Sequence, residues 1–347
     1  MRVHGGGIGL LERDVLDFSC NLNPFAPPSE LLELLSSLPS EVFVRHPEPY
    51  PGELEGELAE ALGVDRDALA IIPGSVFGIH CAFWLFQAER VLVPVPTFNE
   101  YERVAGVFGV RVKRHTLREE MSFKLCLGEL ASEVEEGDLL FVCNPNNPTG
   151  YFFGVDEMEA LVRWCAQKGA SVVFDEAFVD FTEHASSTPR AVLPSENALI
   201  LRSFTKSFSI PGVRVGYALG HPSVISRLRD MVPSWSITNV AVEVLKVVLR
   251  HLGELSHHRR VISGLRGELF EALKGMGFEP YPSSCNFLMV KSSLPSSVLS
   301  EGLLSRGVLV RVFPEYPWLD GFFRVCVRKN KENQRLVEAL GELNEGL

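Results

Sequence analysis

Apolar, β-branched runs alternate with amphipathic stretches through the first two-thirds of the chain. The runs "LAIIP" (69–73), "RVLVPVP" (90–96), "RVKRHTL" (111–117), "LLFVCNP" (139–145), "ASVVFDEAF" (170–178), "ALILRSF" (198–204) and "VRVGYALG" (213–220) read as strands. Between them, 98–109 and 155–169 carry apolar residues at helical spacing. Such alternation predicts an α/β layered domain around a mostly parallel sheet, with ligands at the carboxyl ends of the strands. From about residue 238 the pattern changes to one long helical stretch (238–277). It is followed by "NFLMVKSS", another helix, "GVLVRVF", "FFRVCVRKN" and a closing helix, which predicts a smaller α+β domain. The Pro-rich "NLNPFAPP" (21–28) precedes a helix at about 29–38 and is expected to run beside the smaller domain. The expected units are an N-terminal segment at 1–40, a large domain at 41–240 and a small domain at 241–347.

With 347 residues, 46% of them hydrophobic, the chain can bury a sizeable core. Its net charge is −11, and its densest basic run, "HHRR" (257–260), reads as a solvated helix face. Nucleic acid and anionic membrane surfaces are therefore not expected as partners. No apolar stretch reaches membrane-spanning length, and the N-terminus lacks the apolar core of a signal peptide. Seven cysteines without a CxxC fit small core residues in a reduced, cytoplasmic setting, and no metal site is expected.

Chemistry gathers where the predicted strands end. "NPNNPTG" (144–150) is a rigid turn that can present side-chain amides. "FDEAF" (174–178) puts carboxylates at a strand terminus. A Mg²⁺ site of the nucleotide-hydrolase type is disfavoured, because the chain has no GxxxxGK[ST] loop. "PGSVFG" (73–78) opens an apolar helix whose free N–H groups suit a phosphate. "PTFNEY" (96–101) offers Phe98 as core or stacking platform, and "RSFTKSFSIPGVRVGYALG" (202–220) surrounds Lys206 with hydroxyls and an arginine. Amine, carboxylate, amide, aromatic face and phosphate cradle together make the inventory that pyridoxal phosphate requires.

These motifs, in this order and spacing, resemble the aspartate-aminotransferase superfamily, the fold type I pyridoxal-phosphate enzymes, over essentially the whole chain. The resemblance implies Lys206 as the Schiff-base lysine, Asp175 as partner of the pyridine nitrogen and Asn147 at the ring hydroxyl. It implies Phe98 stacked on the ring, with Gly74, Ser75, Val76, Ser203, Thr205 and Arg214 around the phosphate. Arg324 in "FFRVCVR" takes the place of the arginine that grips the substrate carboxylate. Phe178 stands where many relatives carry tyrosine, and its missing hydroxyl makes the ring environment less polar. A tyrosine that reaches the partner subunit's cofactor in relatives is matched by His46, with Tyr50 nearby.

Within the superfamily the likeness narrows to two branches, histidinol-phosphate aminotransferase and L-threonine-O-3-phosphate decarboxylase of cobalamin synthesis. "HGGG" (4–7), "LDFSCNLNPFAPP" (16–28) and "FFRVCVRKNKEN" resemble the second. His4, Asn23, Arg311, Arg324 and Arg328 then become candidates for gripping the substrate's phosphate or carboxylate. A small phosphorylated amino-acid substrate and a homodimer are the implied partners.

Overall fold

The computed structural model describes residues 15–184 and 192–345. Seven strands form the large sheet: β2 (Leu69–Ile72), β3 (Arg90–Val95), β4 (Arg111–Thr116), β5 (Asp138–Cys143), β6 (Ser171–Asp175), β7 (Ala198–Ser203) and β8 (Gly216–Gly220), after a short β1 (Leu16–Asp17). Their order is β2-β8-β7-β6-β5-β3-β4, and β8 alone runs against its neighbours. Strands β2, β5 and β7 are buried at every position, as expected of a sheet covered on both faces. Edge strand β4 instead exposes Arg111, Lys113 and Arg114, charges that deter further strand pairing.

The fold is thus the α/β type I architecture with a mostly parallel sheet, as expected from the pattern. Two expected strands are shorter than expected, one at its start and one at its end. The run at 213–220 pairs only from Gly216, because Arg214 holds a left-handed φ of 61°. The run at 139–145 stops at Cys143, before Pro145, which has no N–H to give to the ladder.

A four-stranded antiparallel sheet orders β12 (Arg311–Val312), β13 (Phe322–Cys326), β10 (Phe287–Lys291) and β9 (Glu279–Pro280). Helices Leu255–Gly275, Ser296–Ser305 and Asn330–Glu345 supply Leu269, Leu303 and Leu340 to its core. The helical stretch expected at 238–277 is two helices, Asn239–His251 and Leu255–Gly275, separated by a 3₁₀ turn at Leu252–Glu254. The first of them packs Val244, Leu245 and Val248 into the large-sheet core together with Leu31, so packing crosses the boundaries expected at 40 and 240.

Residues 16–18 are tied to the strands of the C-terminal part. Strand β1 pairs in parallel with β11 (Val308–Leu309), and Phe18 exchanges backbone hydrogen bonds with Leu309 and Cys326. No described helix is long and apolar enough to cross a membrane.

Candidate active site

The carboxyl ends of β2, β3, β5, β6 and β7 open onto one cavity of about 350 Å³, closed from the other side by the N-terminal segment and the small sheet. Ser75, Val76, Phe98, Asn147, Asp175, Phe178, Ser203, Thr205, Lys206, Arg214, Arg311 and Arg324 all line it. Residues from Ser75 to Lys206 meet there because parallel strands all end on one side, whereas Arg311 and Arg324 reach it from the antiparallel small sheet.

Asp175 is the last residue of β6 and is almost fully buried. Its Oδ2 accepts the Tyr101 hydroxyl at 2.8 Å, and its Oδ1 accepts the Ala177 N–H at 3.2 Å. Burial outweighs both bonds and pushes its carboxyl up to about 6. The group therefore sits where it would gain from a nearby cation. Tyr101, which orients it, stacks on Phe141 at 4.9 Å and meets Phe98 edge-on at 5.7 Å. Sequence reading treated Tyr101 as part of a helix, and only the turn of Glu100–Phe108 aims its hydroxyl at β6.

Lys206 lies on the one-turn helix Phe204–Ser207, capped by Ser203, whose Oγ accepts the Thr205 N–H at 3.2 Å. Burial lowers the ammonium's pKa, and among the described residues it has no hydrogen bond or ion pair. Of the four hydroxyls around it, Ser203 and Thr205 line the cavity. Ser207 is buried outside it and Ser209 donates to the Asn23 carbonyl at 2.7 Å, so the ring of hydroxyls expected around the lysine is half structural.

Gly74 enters the helix Ser75–Leu85 at φ 86°, and a Cβ there would lie 3.0 Å from Arg214 Nη2. The absent side chain lets the guanidinium rest on the helix start, where first-turn N–H groups lack intrahelical partners. Gly74 itself is outside the lining, behind Ser75 and Val76.

The three asparagines of 144–147 divide their work. Asn144 exchanges two bonds with Phe153, and Asn146 bonds Thr97, Thr149 and the Pro96 carbonyl. Asn147 is left facing the cavity, with its Oδ1 accepting Arg324 Nη1. The other Arg324 terminal nitrogen donates to the Ser19 carbonyl, its Nε has no hydrogen-bond partner among the described residues, and burial pushes its pKa down to about 10. Phe178 packs edge-on against Phe287 at 5.1 Å at the margin of the small-sheet core and also lines the cavity.

Three expectations need correction or fall elsewhere. Asn23 does not face the cavity: its Nδ2 donates to the Ser207 carbonyl at 2.8 Å and its Oδ1 accepts the Phe25 N–H at 3.0 Å. It clamps the lysine-bearing loop from behind. Arg328 stands outside the cavity, paired with Glu332, donating to the Asp17 carbonyl at 3.1 Å and lying over Phe18. His4 lies outside the described residues. Near the start of the large domain, Tyr50 is committed internally, donating to Glu55 and accepting the Ile71 N–H at 2.9 Å, whereas His46 is exposed beside Trp235.

Asn21, two residues before Asn23, lines the cavity in its place, buried and with an Oδ1 that has no partner among the described residues. An asparagine directly before proline is a turn-former, and that signal separates Asn23 from Asn21. Asn23→Ala is expected to lower stability by about 2 kcal/mol, since two of its bonds hold backbone. Asn21→Ala is expected to leave the unfolding midpoint of the ligand-free protein within a degree or so and to weaken ligand binding. Thermal unfolding of both variants checks the pair.

The family model for aminotransferase class I and II matches residues 13–340. Among curated proteins, the threonine-phosphate decarboxylase of Salmonella typhimurium is 28% identical, with 99% of this chain and 97% of the relative aligned. The histidinol-phosphate aminotransferase of Thermoanaerobacter pseudethanolicus is 30% identical over 93% and 91%. The crystal structure of the histidinol-phosphate aminotransferase from Clostridium acetobutylicum superposes with a TM-score of 0.85 at 23% identity, covering 96% of this chain and all of that one.

Proposed function

Since the chain belongs to the aminotransferase class I and II family, we propose that it is a pyridoxal-phosphate enzyme that decarboxylates L-threonine O-3-phosphate to (R)-1-amino-2-propanol O-2-phosphate. The observation that carries this reading is the pair Arg311 and Arg324, directly opposite each other in the β12–β13 ladder and both facing the cavity that holds Lys206. Two guanidinium groups suit a substrate with two anionic groups, a carboxylate and a phosphate. Histidinol phosphate carries only one. The product would feed corrinoid side-chain synthesis, as the sequence resemblance implies.

The residues present fit the cofactor. A buried carboxyl that gains from a cation, Asp175, suits a protonated ring nitrogen, and the partnerless Lys206 amine suits the aldehyde carbon. Ser203, Thr205, Arg214 and the Ser75 and Val76 N–H groups would hold the phosphate, Phe98 the ring face and Asn147 the ring hydroxyl. When bound, the cofactor supplies an electron-poor ring that accepts the electrons of the breaking bond.

The protein's part is orientation and proton handling. Arg324 and Arg311 fix the two anionic groups and so the rotation of the substrate's α-carbon, which decides whether its carboxylate or its proton departs. Lys206, desolvated enough to give up a proton, can deliver one to the carbon from which CO₂ has left. Asn21 offers an amide within the same cavity.

Two reactions on cofactor-loaded protein test the proposal. One contains L-threonine O-3-phosphate and is followed for CO₂ and aminopropanol phosphate. The other contains histidinol phosphate with 2-oxoglutarate and is followed for glutamate. Product in the first alone is expected, while glutamate in the second alone would replace this reading with aminotransfer. Arg324→Ala is expected to raise KM about 100-fold or more with the cofactor still bound. Loss of cofactor from that variant would show that Arg324 serves the cofactor rather than the substrate.

A further inference from the structure

Arg311 and Arg324 reach the cavity from adjacent strands and face each other in register. Like charges placed so repel, and Arg311 follows burial among the causes that lower the Arg324 pKa. The two are stabilised differently. Arg324 is held by neutral oxygens, those of Asn147 and Ser19. Arg311 forms an ion pair with Glu315, four residues further on.

Glu315 also lines the cavity. Its Oε1 engages Arg311 Nη2, while its Oε2 is buried with no hydrogen-bond partner among the described residues. A buried carboxylate oxygen without a partner is costly. Here it stands in a cavity whose other charged lining residues, apart from Asp175 and Glu100, are cations: Lys206, Arg214, Arg311 and Arg324.

We propose that Glu315 is a built-in counter-ion that occupies Arg311 until substrate arrives, and that it sets the affinity for the substrate's phosphate by competing for that guanidinium. The inference rests on the reading that the substrate is a phosphorylated amino acid. One guanidinium edge takes one planar or tetrahedral anion in bidentate fashion. Glu315 is tethered four residues away, so its effective concentration at Arg311 is high. An incoming phosphate must displace it or share the guanidinium beside a second negative charge, and either lowers affinity. The carboxylate of the substrate, gripped by Arg324, does not compete with Glu315. The device therefore acts on one anionic group and leaves the other alone.

The test compares wild type, Glu315→Gln, Glu315→Asp and Arg311→Gln as cofactor-loaded enzymes. The constants are KM for L-threonine O-3-phosphate and the inhibition constant of unphosphorylated L-threonine. Glutamine keeps the size and one hydrogen bond of Glu315 without its charge. It is expected to lower KM for the phosphorylated substrate about tenfold and to move the L-threonine constant by less than about twofold. Aspartate, one methylene shorter and drawn back from Arg311, should act in the same direction more weakly and serves if the glutamine variant does not fold. An unchanged or raised KM, or equal tightening of both ligands, overturns the proposal. Arg311→Gln separates the two levels of inference. If it weakens only the phosphorylated ligand, the phosphate reading stands whatever Glu315 does. If it affects both ligands alike and wild type does not prefer the phosphorylated one, the substrate reading itself has failed.

Discussion

Replacement of Lys206 by alanine is expected to abolish turnover, with a fall of at least about 10⁴-fold, because no other amine among the described residues lines the cavity. Under the proposed function the group would serve twice, as the attachment point for the cofactor and as the source of the proton that replaces the lost carboxylate. Its environment favours both roles. Burial lowers its pKa, and no carboxylate pins it as an ammonium ion. The half-exposed Lys291, by contrast, is held as an ammonium ion by Glu119. Borohydride reduction of the loaded protein followed by peptide mass analysis gives a readout independent of rate. Wild type should carry the cofactor on the peptide containing Lys206 and the alanine variant on none. Retained turnover, or label on another lysine, would remove the central assignment. The variant should still fold, since the backbone of the loop is held by Asn23 through the Lys206 and Ser207 carbonyls rather than by the lysine side chain.

Asp175→Asn is expected to reduce kcat on the order of 10³-fold while leaving the fold intact, as a neutral amide cannot stabilise a positive ring nitrogen. The same substitution makes a pH-dependent stability prediction of opposite sign. In the cofactor-free protein the carboxyl is pushed from 3.8 up to about 6, chiefly by burial. A group whose folded pKa lies above its unfolded value binds extra protons in the folded state between those limits. Stability from this group therefore falls as pH rises from 3.8 to about 6 and stays lower above that. Asparagine carries no such penalty. The cofactor-free variant should be more stable than wild type at pH 7.5, by up to about 3 kcal/mol, and by only about 1 kcal/mol at pH 4.5. Urea unfolding at the two pH values measures the difference. Equal stability at both would show that Asp175 is not the strained carboxylate described above. Cofactor should stabilise wild type more at pH 7.5 than at 4.5, and the difference between the two should be smaller in the variant.

The sequence by itself determined the architecture and the cavity-lining residues at the ends of the large-sheet strands. Strand ends are marked by prolines and polar clusters, as at Cys143 before "NPNNPTG" and Asp175 before "EAF", and parallel topology delivers every such end to the same side of the sheet. Position in the chain therefore fixes position in the site for Ser75, Asn147, Asp175 and Lys206. Local patterns carry that information because the groups lie within a few residues of a strand terminus.

The opposite wall of the cavity, built by the N-terminal segment and the small sheet, was decided by tertiary structure. Whether Asn21 or Asn23 faces the cavity depends on how an irregular segment crosses the lysine loop, and irregular backbone has no period from which to read a face. Arg311, Arg324 and Arg328 look alike in sequence. Ladder register places the first two opposite each other, while Glu332 and the Asp17 carbonyl hold the third aside. Tyr101 meets Asp175 across 74 residues, and Arg324 meets Ser19 across 305. Contacts of that range arise only when separately folded layers are packed together, because the two partners share no common backbone element that would relate their positions in the sequence.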